Sequence, residues 1–292
     1  MNGTDPDWGV DSEYGRLHDV LLCEPENFRW LETSAITRAT LEAGFEYDGE
    51  RAERQHEALV SAYEEAGARC HFLEPDPALP YQVFARDSSA MGPYGTVITQ
   101  LAQPWRRGEY APAIRFHQEA GIPIRAMITA GSLEGGDVMI VEPGVVLIGS
   151  GETRTQEAAA NQLAAWYRDD GWEARVQPIP ERYVHIDVLV AVLASKLAAV
   201  CAEVLPSAAV EWLRAKGFEL IEVSADQAFN LGVNAISVGD ERVISATGAT
   251  DLNAALRARG IDVIELELDM FTLGGGGAHC LGQALRRERV GG

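Results

Sequence analysis

The feature that most constrains this chain is a repeat. Five times a helix-like segment ends at a glycine that leads straight into a strand-like run, reading EEAGARC, QEAGIPI, RDDGWEA, RAKGFEL and RARGIDV with glycines at 67, 121, 171, 217 and 260. The spacings of 54, 50, 46 and 43 residues are those of one supersecondary unit used repeatedly. A glycine just past a helix end takes the left-handed conformation that stops the helix, so each junction has a mechanical reason. The preceding segments carry helical periodicity: Leu59, Ala62, Tyr63 and Ala66 share a face, as do Ala159, Leu163, Trp166 and Tyr167, and Leu252, Ala255 and Leu256.

After several of the glycines come two short β-rich runs joined by turn residues: VFARDSSAMGPYGTVITQ, DVMIVEPGVVLIGSG, HIDVLVAVLASKLAAV and NLGVNAISVGDERVISA. Pro-Tyr-Gly, Glu-Pro-Gly and Gly-Asp sit where a hairpin turns. The unit therefore reads strand, hairpin, helix. No Pro/Ser-rich linker separates the units, so the expectation is one α/β domain over residues 1–292 built of about five repeats. An ordinary doubly wound sheet has similar helix–glycine–strand joints, but it joins parallel strands by crossovers and has no place for these hairpins.

Charge and cysteine usage narrow the function. With 24 Lys+Arg against 44 Asp+Glu the net charge is 24 − 44 = −20, which argues against a nucleic-acid backbone or an anionic membrane as the main partner and permits a small cationic substrate. Cys23, Cys70, Cys201 and Cys280 form no C-x-x-C pair, which suits a reducing compartment and supplies no zinc framework. The first residues have neither a basic start nor an apolar core. The longest apolar stretch, 188–205, is broken by Ser195, Lys196 and Glu203, so a soluble, cytoplasmic protein is expected.

Four local clusters carry chemistry. Leu273-Gly-Gly-Gly-Gly-Ala-His279-Cys280 places a candidate nucleophile after a glycine run that either nests an anion or is a turn before a buried structural cysteine. Leu133-Glu134-Gly135-Gly136-Asp137 offers paired carboxylates for acid–base work or cation binding, or is a polar turn. His185-Ile186-Asp187, read as a strand, aims an imidazole and a carboxylate to one side. Phe84-Ala85-Arg86-Asp87 offers a carboxylate, or a buried Arg86–Asp87 ion pair. There is no G-x-S-x-G, Walker loop or H-E-x-x-H. Asp87, Glu134, His185 and Cys280 lie at the ends of strand runs in different units, and in a closed ring of units such positions converge on the axis.

These blocks, F-x-R-D, E-G-G-D, H-x-D and G-G-G-x-H-C in that order from residue 84 to 280, resemble the guanidino-group-modifying enzymes: arginine deiminases, dimethylarginine dimethylaminohydrolases and amidinotransferases. The resemblance covers nearly the whole chain. It implies a five-bladed, pseudo-symmetric α/β propeller with the site on the axis. It also implies Cys280 as nucleophile, His185 as general acid/base, Glu134 as the carboxylate beside the histidine, and Asp87 and Asp187 as the guanidinium clamp. Arg106, nineteen residues after Asp87, and Arg154 match the arginines for an α-carboxylate, with Arg107 a competitor for the first.

Subfamily features divide. The compact length and the segment ERAERQHEAL resemble dimethylarginine dimethylaminohydrolases. The H-x-D and Arg-Asp pairs resemble deiminases and amidinotransferases, while Gly275 stands where deiminases carry another arginine.

The expected activity is hydrolysis of a guanidino C–N bond of arginine or an N-substituted arginine, giving citrulline, with an amidinotransferase or an arginine dihydrolase as alternatives within the family. A non-catalytic scaffold would have lost nucleophile or base, and both are present. Cysteine, histidine and carboxylates suffice for the chemistry, so neither metal nor organic cofactor is implied. The expected partner is a small guanidino molecule, and a homodimer is allowed.

Overall fold

The structure, a computed structural model, describes residues 8–32 and 34–291. In chain order it opens with β1 (Leu17–Cys23), α1 (Ala35–Glu42), α2 (Gly49–Glu65) and β2 (Arg69–Leu73). Four hairpin–helix–strand units follow. They are β3 (Ser89–Gly92), β4 (Gly95–Ile98), α3 (Tyr110–Glu119), β5 (Ile124–Met127); β6 (Val138–Glu142), β7 (Val145–Ser150), α4 (Glu157–Asp169), β8 (Glu173–Pro178); β9 (Val190–Ala194), β10 (Leu197–Val200), α5 (Ser207–Ala215), β11 (Glu219–Glu222); and, after the short α6 (Ala225–Phe229), β12 (Ile236–Gly239), β13 (Arg242–Ala246), α7 (Thr250–Arg257), β14 (Asp262–Leu266). The chain ends in α8 (Asp269–Thr272), α9 (Ala278–Leu281) and β15 (Gln283–Arg287).

The strands form five three-stranded sheets. In each of the four internal sheets a hairpin pairs antiparallel and the strand after the helix returns parallel to its second arm, as β4 pairs with β5 and β7 with β8. The strand after each glycine therefore belongs to the hairpin before it, not the one after it. The expected order strand–hairpin–helix is corrected to hairpin–helix–strand, because a right-handed crossover lays the third strand beside the strand that feeds the helix. The fifth sheet joins the two ends of the chain, with β15 antiparallel and β2 parallel to β1. Neighbouring sheets touch in sequence order, and β12 reaches β1, which closes the five-bladed α/β propeller.

The glycines at 67, 121, 171, 217 and 260 all have positive φ, between 68° and 88°, each two or three residues past a helix. Hairpin strands such as β3, β4, β7 and β10 are buried throughout, whereas the returning strands β5, β8 and β11 keep exposed positions. The apolar runs therefore form the inner wall, and the amphipathic helices and third strands form the rim. No helix among the described residues is long and apolar enough to cross a membrane.

Candidate active site

The end of each blade that precedes its first hairpin strand carries one polar side chain towards the axis. Asp87 closes a 3-10 turn, Ala85–Asp87, before β3; Glu134 precedes the turn Gly135–Asp137 before β6; His185 precedes the turn Ile186–Val188 before β9. Asn234 stands just before β12, and Cys280 lies in α9 before β15. All five are at most 5% exposed. His185 and Asp187 do not sit on a strand as expected. His185 is extended, but Ile186–Val188 is a 3-10 turn and β9 begins only at Val190, so the alternation argument fails: His185 meets Glu134 and Asp87, while Asp187 meets His279 and Cys280.

His185 Nε2 is 2.8 Å from Glu134 Oε2, and its Nδ1 is 3.7 Å from Asp87 Oδ1. Burial alone would lower the imidazole pKa, but Asp87, Asp137 and Glu134 surround it and raise it to about 10, so it is an imidazolium at neutral pH. Burial likewise favours a protonated Glu134, yet Arg154, His185 and Arg106 outweigh it and hold the carboxyl well below its ordinary range. Gly136 lets this packing happen: a Cβ there would lie 2.4 Å from His185 Nδ1, and its N–H donates to Asp87 Oδ1 at 2.9 Å. Backbone strain sits beside the histidine. Val184 has φ 62° and ψ −64°, and Tyr183 O accepts from His185 N at 2.6 Å, the geometry of a γ-turn.

Cys280 Sγ is 3.5 Å from Asp187 Oδ2. Burial, then Asp187 and Asp87, push its thiol well above the usual value, so without a cation beside it the thiolate is disfavoured. Asp187 Oδ1 is buried and has no hydrogen-bond partner among the described residues, an acceptor left open although Asp187 is not one of the residues that line the cavity beside Cys280. The glycine run serves close approach. A Cβ at Gly276 would lie 2.3 Å from Phe84 Cε1, and one at Gly277 would lie 2.7 Å from Asn234 Oδ1. Asn234 Oδ1 in turn accepts from the backbone N–H groups of His279 and Cys280, at 3.1 and 3.3 Å.

A cavity of about 20 Å³ is lined by Asp87, Arg106, Arg154, His185, Cys280 and the rim residues Ser34, Val184 and Gly274–Gly275. One water needs roughly 10–15 Å³ by the same measure, so an amino-acid-sized molecule enters only as these side chains move. Arg106 donates through Nη1 to Asp87 Oδ2 at 2.7 Å and through Nε and Nη2 to Glu109 at 2.7 and 2.8 Å. Arg154 Nη1 donates to Glu134 Oε2 at 3.2 Å. Arg107 instead caps Ala102 O on the exposed side and does not line the cavity. Of the two readings of the Arg86–Asp87 block, the ion pair is not formed: Arg86 reaches Glu13 Oε1 at 3.2 Å and Asp87 pairs with Arg106.

Asp87, Glu134 and His185 bring one possible metal-ligand atom each within 4.8 Å, the one such group among the described residues. With Arg106 on Asp87 and Arg154 on Glu134 these carboxylates are already matched, so a metal ion would have to enter against two guanidiniums. Glu13, Asn234 and His279 were not singled out from the sequence as site residues. For Asn234 a signal exists, since it holds in the β12–β14 blade the place that the other four positions hold in theirs.

A ring of five α/β blades with cysteine, histidine and carboxylates on its axis defines the guanidino-modifying class. The family model described as "N,N dimethylarginine dimethylhydrolase, eukaryotic" matches residues 24–287. The chain is 31% identical over 281 residues to the uncharacterized protein YkgA of Bacillus subtilis, covering 94% of each. It is 29% identical to the N(G),N(G)-dimethylarginine dimethylaminohydrolase of Mycobacterium tuberculosis, over 80% of this chain and 75% of that one. Among solved structures, the dimethylarginine dimethylaminohydrolase of Pseudomonas aeruginosa complexed with citrulline superposes with a TM-score of 0.78 at 23% identity, covering 92% of this chain and 99% of that one. The N-terminal domain of the cyanobacterial arginine dihydrolase ArgZ superposes at 0.81 with 22% identity, covering 92% and 97%. The chain belongs to the dimethylarginine dimethylaminohydrolase family, and it is a hydrolase of guanidino groups, acting on C–N bonds of amidines.

Proposed function

We propose that the protein hydrolyses a terminal guanidino C–N bond of arginine or an N-substituted arginine, with Cys280 as nucleophile and His185 as acid and base. The observation that carries this reading is that Cys280, His185 and Asp87 line one buried cavity while Glu134 holds His185 from behind at 2.8 Å. A guanidinium is a poor electrophile because its charge is delocalised. Asp87, and the open Oδ1 of Asp187 on the thiol side, hold it by charge-assisted hydrogen bonds. The bound cation offsets the carboxylates that disfavour the thiolate, and the thiol proton leaves to water. The thiolate adds to the central carbon. The C–N bond breaks as His185 protonates the departing ammonia or amine, leaving a thiouronium on Cys280. His185, now neutral, takes a proton from the water that attacks this carbon, and the C–S bond breaks to give the ureido product.

Two carboxylate acceptors favour unsubstituted terminal nitrogens, because methyl groups remove the hydrogens that both need. That mismatch costs roughly 1–3 kcal/mol. Arg154 is proposed to meet the substrate α-carboxylate from the same cavity, and Arg106 to join it by releasing one of its present partners, Asp87 and Glu109. The test is incubation with arginine, asymmetric dimethylarginine and agmatine, with product analysis for the ureido compound and the released amine. Arginine should have the highest kcat/KM, and agmatine, which lacks the carboxylate, should fall at least about tenfold below it. A preference for the dimethylated compound would overturn the two-carboxylate clamp, and equal use of agmatine would overturn the arginine assignment.

A further inference from the structure

Behind Cys280 the buried charges alternate in sign. Arg86 Nη2 donates to Glu13 Oε1 at 3.2 Å, and Ile140 N donates to the same oxygen at 3.3 Å. The other oxygen, Glu13 Oε2, lies 3.5 Å from His279 Nε2, while His279 Nδ1 is 2.9 Å from Asp187 Oδ2, the oxygen that also faces Cys280 Sγ. Each ring nitrogen of His279 thus faces a carboxylate. A neutral imidazole has one N–H and would turn a lone pair towards the other carboxylate, so this geometry calls for the imidazolium. All four residues are at most 5% exposed.

We infer that Glu13 and His279 are positioning residues for the reaction, holding Asp187 ionised and aimed at the thiol side of the pocket. Neither touches the cavity, and both act through Asp187. The inference rests on the reading of Cys280 as nucleophile. The fold alone does not ask for this chain of charges. Buried ion networks of this kind are commonly neutral or costly for stability relative to apolar packing. The Glu13 carboxylate is brought from the segment before β1 and pinned from two sides, which leaves its second oxygen for His279. The charged groups facing His279 are Asp187 and Glu13, with Arg86 opposing; those facing the Cys280 thiol are Asp187 and Asp87. If Glu13 loses its charge, Asp187 is the one carboxylate left to hold the His279 proton against Arg86, so the imidazolium is weakened and more of the Asp187 charge bears on the thiol.

The test compares wild type, Glu13→Gln and His279→Gln by the pH dependence of iodoacetamide alkylation of Cys280, located by peptide mass spectrometry, alongside kcat and KM for arginine. Both variants should move the thiol titration upward by about one unit, slowing alkylation about tenfold below its midpoint. We expect kcat to fall at least about tenfold with KM changed far less. Glu13→Asp, which keeps the charge, should recover part of the loss. Should Glu13→Gln not fold, His279→Gln carries the same measurement. Alkylation profiles that superimpose on wild type, whether or not activity or Tm falls, would overturn the relay. Cys280→Ser separates the two readings: if it retains turnover, the nucleophile assignment fails, and if it is inactive while the relay variants titrate as wild type, the relay alone fails.

Discussion

At the scale of single residues, the roles proposed for Cys280 and His185 each depend on their neighbours. A thiol pushed up by burial and two carboxylates is not a nucleophile until a cation arrives, and an imidazole among three carboxylates is not a base until it has given a proton away. Cys280→Ser should abolish turnover and leave the circular dichroism spectrum unchanged. An active variant, or a substrate-derived adduct on Cys23, Cys70 or Cys201, would redirect the mechanism. The same geometry couples His185 to stability. Its folded pKa, about 10, lies above its ordinary 6.5, so its contribution is fully present below about 6.5 and is lost as pH rises through about 10. Urea unfolding across this window should show a decline in wild type that is shallower in His185→Gln. Equal slopes would place the imidazolium elsewhere.

At the scale of elements, two kinds of glycine separate cleanly. Gly217 ends α5 at φ 84° with nothing within 4 Å of where a Cβ would sit, so Gly217→Ala meets only the left-handed penalty. That penalty is roughly 1–2 kcal/mol. Activity should survive while the urea midpoint drops. Gly136 has no positive φ to defend, but its Cβ would press on His185 Nδ1 at 2.4 Å. Gly136→Ala should therefore lower kcat by an order of magnitude or more with a small change in Tm, since displacing a catalytic group by about 1 Å costs on the order of a hundredfold. The reverse pattern, Gly217→Ala inactive and Gly136→Ala active, would mean that the junctions and not the axis govern catalysis.

At the scale of the whole molecule, the ring is closed by the two ends of the chain. β15 pairs with β1 through Leu17↔Arg287, Val20↔Ala284 and Leu21↔Gln283, and the buried Arg287 ties Gly15 O and Ser237 O at 2.8 Å each. β15 begins three residues after Cys280, so closing the ring and seating the proposed nucleophile are one event. A chain ending at Gly282 strips β1 of its antiparallel partner and should lose cooperative unfolding as well as activity. A truncated chain with a wild-type urea transition would show that the ring holds without its closing strand.

The sequence by itself determined the blades. Glycine-terminated helices and apolar hairpin runs are local instructions, written in backbone sterics and periodicity, and the motif order placed Asp87, Glu134, His185 and Cys280 at blade ends. What it misjudged was set by packing between blades. The His185–Asp187 segment turns where alternation suggested a strand, and each third strand joins the hairpin before it. Asn234, Glu13 and His279 come together only because segments far apart in sequence meet, as where the two chain ends pair Glu13 with His279 in one blade and His279 then reaches Asp187 of another. Distances of 2.9 to 3.5 Å between residues 92 to 266 positions apart are decided by how five blades close on an axis, and no local propensity encodes them.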